Sequence, residues 1–131
     1  MELEAIGIIH SPYKEVGDAP TQGYLSEEDF EIEIYPEFLP GLKEIENLSH
    51  LVVLYWGHKS KRDLLQTKTP HGPEIKGVFA CRSPNRPNPV ALCVVELIKI
   101  EENRLIVRGL DALDGSFLID IKPYLNRKDG I

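Results

Sequence analysis

The sequence predicts an all-β fold, a small barrel-like domain with a few short helices, and three observations lead there. Apolar residues recur in six or seven short runs, some strictly alternating with polar ones. Pro, Gly, Asn and Asp separate the runs, and no long amphipathic stretch supplies the crossover helices of a parallel α/β sheet. The length of 131 residues, with 42% apolar and 27% charged, suits one globular unit able to bury a core. A single domain over residues 1–131 is therefore expected.

The elements follow in order. "EAIGIIH", residues 4–10, is an apolar run ended by the turn signal Ser11-Pro12. "FEIEIYPEF" sets Phe30, Ile32 and Ile34 against Glu31, Glu33 and Tyr35, a half-buried strand stopped by Pro36. "HLVVLYW", residues 50–56, is continuously β-branched and aromatic and reads as a buried strand. "IKGVFAC" (75–81), "PVALCVVELIKI" (89–100) and "NRLIVRGL" (103–110) supply three more, the last two joined as a hairpin through Glu101, Glu102 and Asn103. "FLIDIKPY" (117–124) closes the set after an Asp114-Gly115 turn. Short helices are expected at 37–46 and at 60–66, where Ser60 stands as an N-cap.

Composition narrows the function. The N-terminal "MELEAIGIIH" carries two glutamates and a brief apolar run, neither a basic secretory signal nor a spanning helix, which predicts a cytoplasmic protein without membrane contact. Cys81 and Cys93 lack CxxC spacing and read as thiols rather than a disulfide framework; the four histidines show no metal-ligand spacing, so no metal is expected. The net charge of −6 is unevenly spread: residues 1–50 carry −10, residues 51–90 carry +5 and the rest −1. A basic segment on an acidic chain is compatible with phosphate contacts, because attraction between charges is screened over about 8 Å at physiological salt. Neither GxGxxG nor the Walker loop is present.

Four stretches could carry chemistry. In "RSPNRPNP", residues 82–89, three prolines fix φ, extend the residues before them and remove backbone donors. The outcome is a stiff loop presenting Arg82 and Arg86, planar forks suited to carboxylate or phosphate, with Asn85 and Asn88 bonding either the turn or a ligand edge. A rigid connector with solvated arginines is the plain alternative. "GLDALDGSFLIDIKPY" (109–124) offers Asp111 and Asp114 before a glycine, then Asp120 and Lys122 on one strand face. These carboxylates can act in acid–base work or neutralise a cation, or simply cap turns and pair with lysine. "APTQGYLSE" (19–27) holds Gln22 beside Gly23, and "YWGHKSKR" (55–62) ends a strand in His58, Lys59, Lys61 and Arg62. Aromatic residues beside bases can stack nucleobases.

"IGIIHSPYKE", "SHLVVLYWGH", "GVFACRSPNRPNPVAL" and "GLDALDGSFLIDIKPY", in that order over residues 6–124, resemble the TrmO family of tRNA adenine methyltransferases. The resemblance implies an S-adenosyl-L-methionine-dependent TsaA-like β-barrel, acting as a homodimer with the cofactor near the subunit interface. Its implied substrate is the N6 nitrogen of threonylcarbamoyl-adenosine beside the anticodon of threonine tRNA. Carried over to this chain, Gln22, Gly23, His58, Lys59, Arg82, Leu92, Leu110, Asp111 and Leu113 are expected at the cofactor. Lys61, Arg62, Arg86, Asn88, Lys122 and Tyr124 are expected on the tRNA side, and Arg82, Arg86 and Asp114 in catalysis. The chain departs from the family in Ser116-Phe117 for Thr-Pro, Val90-Ala91 for Ile-Gly and a shortened Gln22-Gly23 loop. It also stops soon after DIKPY, where longer members carry a further domain, so tRNA contacts of that domain are expected to be absent or replaced. The readings from other classes are a non-catalytic nucleotide- or RNA-binding barrel and a metabolite-binding barrel without RNA affinity.

Overall fold

A computed structural model describes residues 1–18, 28–68 and 72–125. Six strands close into an antiparallel barrel and two more form a separate ribbon. The strands are β1 (Gly7–His10), β2 (Asp29–Ile34), β3 (His50–Trp56), β4 (Gln66–Lys68), β5 (Ile75–Gly77), β6 (Val90–Glu101), β7 (Arg104–Arg108) and β8 (Ser116–Pro123). Around the barrel the order is β1-β2-β7-β6-β3-β8, with β8 pairing back to β1.

Alternation fills the barrel as the sequence requires. Phe30, Ile32 and Ile34 of β2 point inward, joined by Ile9, Leu51, Val53, Val95, Leu105, Val107 and Leu118. The outward carboxylates of β2 meet bases on the neighbouring strand: Arg108 lies 2.8 Å from Asp29, and Arg104 lies 2.5 Å from Glu31. β6 is long enough to serve two sides of the barrel. It pairs with β3 up to Glu96, bulges at Ile98, and continues along β7 to the Glu102-Asn103 turn. A second bulge, at Ile119 of β8, keeps Leu118 and Ile121 inward and puts Asp120 and Lys122 outside.

Three expectations change. The strand over 50–56 is half-buried, because Val52, Leu54 and Trp56 face outward. No helix forms at 60–66; the segment bends, and Gln66 already starts β4. Its backbone is held by bonds to the 82–89 loop, described below, which a helical turn would forbid. "IKGVFAC" is not a barrel strand: Ile75–Gly77 pairs only with β4, and Val78–Ala80 is a 3-10 turn. The helical expectation at 37–46 is met by two 3-10 turns, Pro36–Leu42 and Ile45–Asn47. Pro40 within that segment removes a donor a regular α-helix would use.

Gly7 sits where β1 runs closest to β2. A Cβ there would overlap the Glu33 carbonyl oxygen, and the backbone cannot yield as a flexible side chain would. Gly7→Ala is expected to destabilise the barrel by about 1–3 kcal/mol in denaturant unfolding, as overpacking does. Gly41→Ala, whose Cβ meets nothing within 4 Å, is the near-neutral control.

Candidate functional site

Strand directions gather the chemistry at one barrel end. β3 ends at Trp56 where β6 begins at Val90, β1 ends at His10 beside the start of β8, and β7 ends at Arg108 against the start of β2. Residues 57–62, 82–89, 109–115 and the segment after His10 therefore share this mouth.

The proline loop is stapled to the segment after β3. Gly57 N donates to the Pro89 carbonyl at 2.8 Å, Lys61 N donates to the Asn85 side chain at 2.8 Å, and Arg86 N donates to the Lys61 carbonyl at 3.0 Å. Arg62 donates through Nε to the Pro87 carbonyl at 2.7 Å and through Nη2 to Asn88 Oδ1 at 3.1 Å, while its guanidinium lies 5.0 Å over the Trp56 ring. Arg86 turns back on its own loop, donating through Nη1 to the Cys81 and Ser83 carbonyls at 3.1 Å. Arg62, Arg86, Asn85 and Asn88 thus brace the loop. Arg82 is exposed and, among the described residues, has no hydrogen bond or ion pair.

The β7–β8 connection forms the facing wall. Leu110 and Ala112 are buried and anchor it in the core, and Leu113 is half-buried. Asp114 Oδ1 accepts from Ser11 N at 2.9 Å, and its Oδ2 lies 2.9 Å from Lys14 Nζ. Ser11 itself is buried and donates to the Ala112 carbonyl at 2.7 Å. The Ser11 amide first, and Lys14 second, hold the Asp114 carboxyl below its ordinary value. Gly115, at φ +82°, makes the expected turn, and its N–H donates to Ile9 at 2.9 Å. His58 Nδ1 is 3.5 Å from Ser116 Oγ, and Lys59 donates to the Lys14 carbonyl at 3.1 Å. His58, Lys59 and Asp114 are therefore on one rim.

Sequence reasoning missed a polar network inside the mouth. Tyr55 Oη donates to Asp111 Oδ1 at 2.5 Å, and Cys93 Sγ donates to the same oxygen at 3.0 Å. Burial first and Asp111 second push both the phenol and the thiol up, so both remain protonated donors. A bond to the Asp111 backbone and, less, the Arg82 charge offset part of the rise at Cys93. The inward phase of Tyr55 and Cys93 was the available signal; the carboxylate between them comes from a loop.

Other expected residues lie elsewhere. Lys122 and Tyr124 are at the opposite end of the barrel, Lys122 paired with Asp120 at 2.9 Å and Tyr124 N donating to the His50 carbonyl at 3.4 Å. Lys122 there edges a cavity of about 580 Å³ lined by Ile6, Ile34, Phe38 and Ile121. Leu92 points outward, 46% exposed, beside Leu54. Gln22 and Gly23 lie outside the described residues. Among the described residues no helix is long and apolar enough to cross a membrane.

A closed antiparallel barrel with a braced, mixed-charge mouth and no glycine-rich phosphate loop defines the class, a small all-β barrel domain. Within that class the chain belongs to the family described as the tRNA-methyltransferase O N-terminal domain, whose model matches residues 8–130. It is 54% identical over 124 residues to an S-adenosyl-L-methionine-binding protein of Archaeoglobus fulgidus, covering 95% of this chain and 89% of that one. A putative S-adenosylmethionine-dependent methyltransferase, RcsF, of Pseudomonas aeruginosa is 35% identical over 134 residues, covering 97% of this chain and 56% of that protein. The crystal structure of TrmO from Pseudomonas aeruginosa superposes with a TM-score of 0.81 at 32% identity, covering all of this chain and 59% of that one.

Asp114→Ala tests the rim. Because the folded carboxyl is held below its ordinary value, its stabilisation is complete above that ordinary value and is lost as pH falls from there through the lowered folded value. The variant is expected to lose about 1 kcal/mol at pH 7, after discounting for partial exposure, and to converge on the parent only in strong acid, below the ordinary carboxylate value, in denaturant titrations.

Proposed function

We propose that this chain is an S-adenosyl-L-methionine-dependent tRNA methyltransferase, and that its substrate is the N6 nitrogen of threonylcarbamoyl-adenosine beside the anticodon of threonine tRNA. The observation that carries the reading is the braced proline loop presenting an exposed Arg82, which among the described residues has no hydrogen bond or ion pair, in a chain matched over residues 8–130 by a tRNA-methyltransferase family model. The names of its relatives support the cofactor.

The residues at the mouth fit such a cofactor. It carries a carboxylate and a positively charged sulfur, and among the described residues the mouth offers a guanidinium and a carboxylate that have no ion pair. Arg82 binds the cofactor's carboxylate, and Asp111 and Leu113 with His58 and Lys59 line the remainder, Leu110 and Ala112 being buried beneath them. Bound S-adenosylmethionine supplies an electrophilic methyl group to a nitrogen nucleophile by in-line displacement. The chain's part is alignment, and holding two reactants in register can lower a barrier by roughly 7–11 kcal/mol. The bracing bonds of Arg62 and Arg86 keep the loop from reorganising during the reaction. Lys61, exposed on the segment braced against the proline loop, offers positive charge at the mouth for tRNA phosphate, while the β2 carboxylates are matched by Arg104 and Arg108.

A second copy of the chain belongs to this reading. Val52, Leu54 and Trp56 of β3 pair with Val94, Leu92 and Val90 of β6 to make one outward apolar face, with the β6 residues 39–46% exposed. Such a face on a sheet next to the mouth suits a self-complementary dimer interface.

Incubation with labelled S-adenosylmethionine and bulk tRNA, followed by nucleoside analysis, is expected to place label in N6-methylated threonylcarbamoyl-adenosine. No calorimetric response to S-adenosylmethionine, with RNA still retarded in a gel, would assign the chain to the non-catalytic RNA-binding barrels instead. Arg82→Ala is expected to weaken cofactor binding at least about tenfold without changing the unfolding midpoint, since a charge-assisted hydrogen bond is lost and no internal bond is. Leu92→Glu is expected to convert a dimer to a monomer in size-exclusion chromatography with light scattering.

A further inference from the structure

Asp111 differs from the ion-paired carboxylates around the barrel. Asp29, Glu31, Glu33, Asp114 and Asp120 each have a basic side chain within 4 Å. Asp111 is half-buried between Leu110 and Ala112, and among the described residues it has no ion pair. Its bonds come instead from two neutral donors on adjacent strands, Tyr55 at 2.5 Å and Cys93 at 3.0 Å, both to Oδ1. Two strands thus fix one oxygen of a carboxylate that enters from a loop. A half-buried carboxylate without a cation is a costly arrangement, and a bound cation relieves it.

We propose that Asp111 is the counter-anion for the positively charged sulfur of the methyl donor, held in place by Tyr55 and Cys93, and that it makes the site prefer this sulfonium to the neutral thioether left after transfer. The inference rests on the cofactor reading above. It adds a direction to the cycle: the carboxylate holds the charged donor and loses its partner once the methyl group has left. Arg82 and Asp111 lie on loops at the same barrel end, so the ligand's carboxylate and its sulfonium each find an opposite charge at one mouth. Tyr55 and Cys93 are positioning residues that act through Asp111.

Calorimetric titration with S-adenosylmethionine and, separately, S-adenosylhomocysteine tests the proposal, because the two differ in the sulfur's methyl group and charge. Asp111→Asn keeps an oxygen to accept both donors and removes the charge. It is expected to weaken the sulfonium ligand about tenfold and the thioether by no more than about twofold, the pattern of a lost charge contact. Tyr55→Phe is expected to move the ratio in the same direction by a smaller factor. Cys93→Ser, whose hydroxyl donates in place of the thiol, is expected to retain the parent ratio that Cys93→Val loses. Equal weakening of both ligands by Asp111→Asn, or none of either, would overturn the proposal and leave the cofactor reading standing. A parent protein that binds neither ligand would overturn both. Should Asp111→Asn not fold, an unchanged ratio in Tyr55→Phe decides against the proposal.

Discussion

Barrel closure by β1 is the constraint on which the mouth depends. Gly7–His10 is only four residues long, yet it pairs with β2 on one side and β8 on the other. The approach to β2 is so close that only a glycine fits at its first position. With the sheet closed there are no edge strands in the barrel to protect, and each strand end is fixed relative to its neighbours. The hydrogen bonds that continue past β1, from Ser11 N to Asp114 and from Gly115 N to Ile9, extend that closure into the loops. The β7–β8 connection is therefore built as an outgrowth of the sheet, with Leu110 and Ala112 buried beneath it.

The opposite wall of the mouth gains its rigidity differently. Residues 82–89 cannot join a sheet, because prolines have removed their donors. Their carbonyl and side-chain acceptors remain, and residues 57–62 supply the donors: Gly57 N, Lys61 N and the Arg62 guanidinium. This accounts for a segment that looks helical by composition but does not form a helix. A helix over 60–66 would turn the Lys61 carbonyl towards Leu65 N of its own chain, whereas in the structure it accepts from Arg86 N. Each charge-assisted bond from Arg62 contributes about 1.5–3 kcal/mol at most, less for its exposure, and contact with Trp56 keeps the side chain in position.

Much of the barrel was legible in the sequence, because its strands obey a period of two that burial imposes. Phe30, Ile32 and Ile34, the hairpin at Glu102-Asn103 and the Asp114-Gly115 turn were each readable from local pattern. The ribbon was not, since "IKGVFAC" has strand composition and its separation from the barrel depends on partners far along the chain. The candidate site was legible only where residues cluster in sequence. Arg82, His58, Lys59 and Asp114 fall at one end because strand directions put them there. Lys122 and Tyr124 share a motif with Asp114 but are carried by β8 to the other end. The Tyr55, Asp111 and Cys93 network joins residues from three segments, and no spacing rule connects them.

The proline stretch presented two arginines of equal promise, and geometry separates them. Arg86 is directed inward at two carbonyls of its own loop, a use of the guanidinium fork that stiffens the turn and occupies one of its terminal nitrogens. Arg82 has no such internal partner among the described residues, and it is exposed where Arg86 is half-buried. The two residues thus divide the work: one keeps the loop in shape so that the other can be held out with little conformational entropy left to lose on binding. A loop in which both arginines bound ligand would need another brace for its turn at Ser83. A loop in which both were braces would leave the mouth with the lysines of its rim and no guanidinium fork. On the proposed reading that division suits a zwitterionic ligand, because a planar fork meets a carboxylate through two bonds where an ammonium offers a point charge.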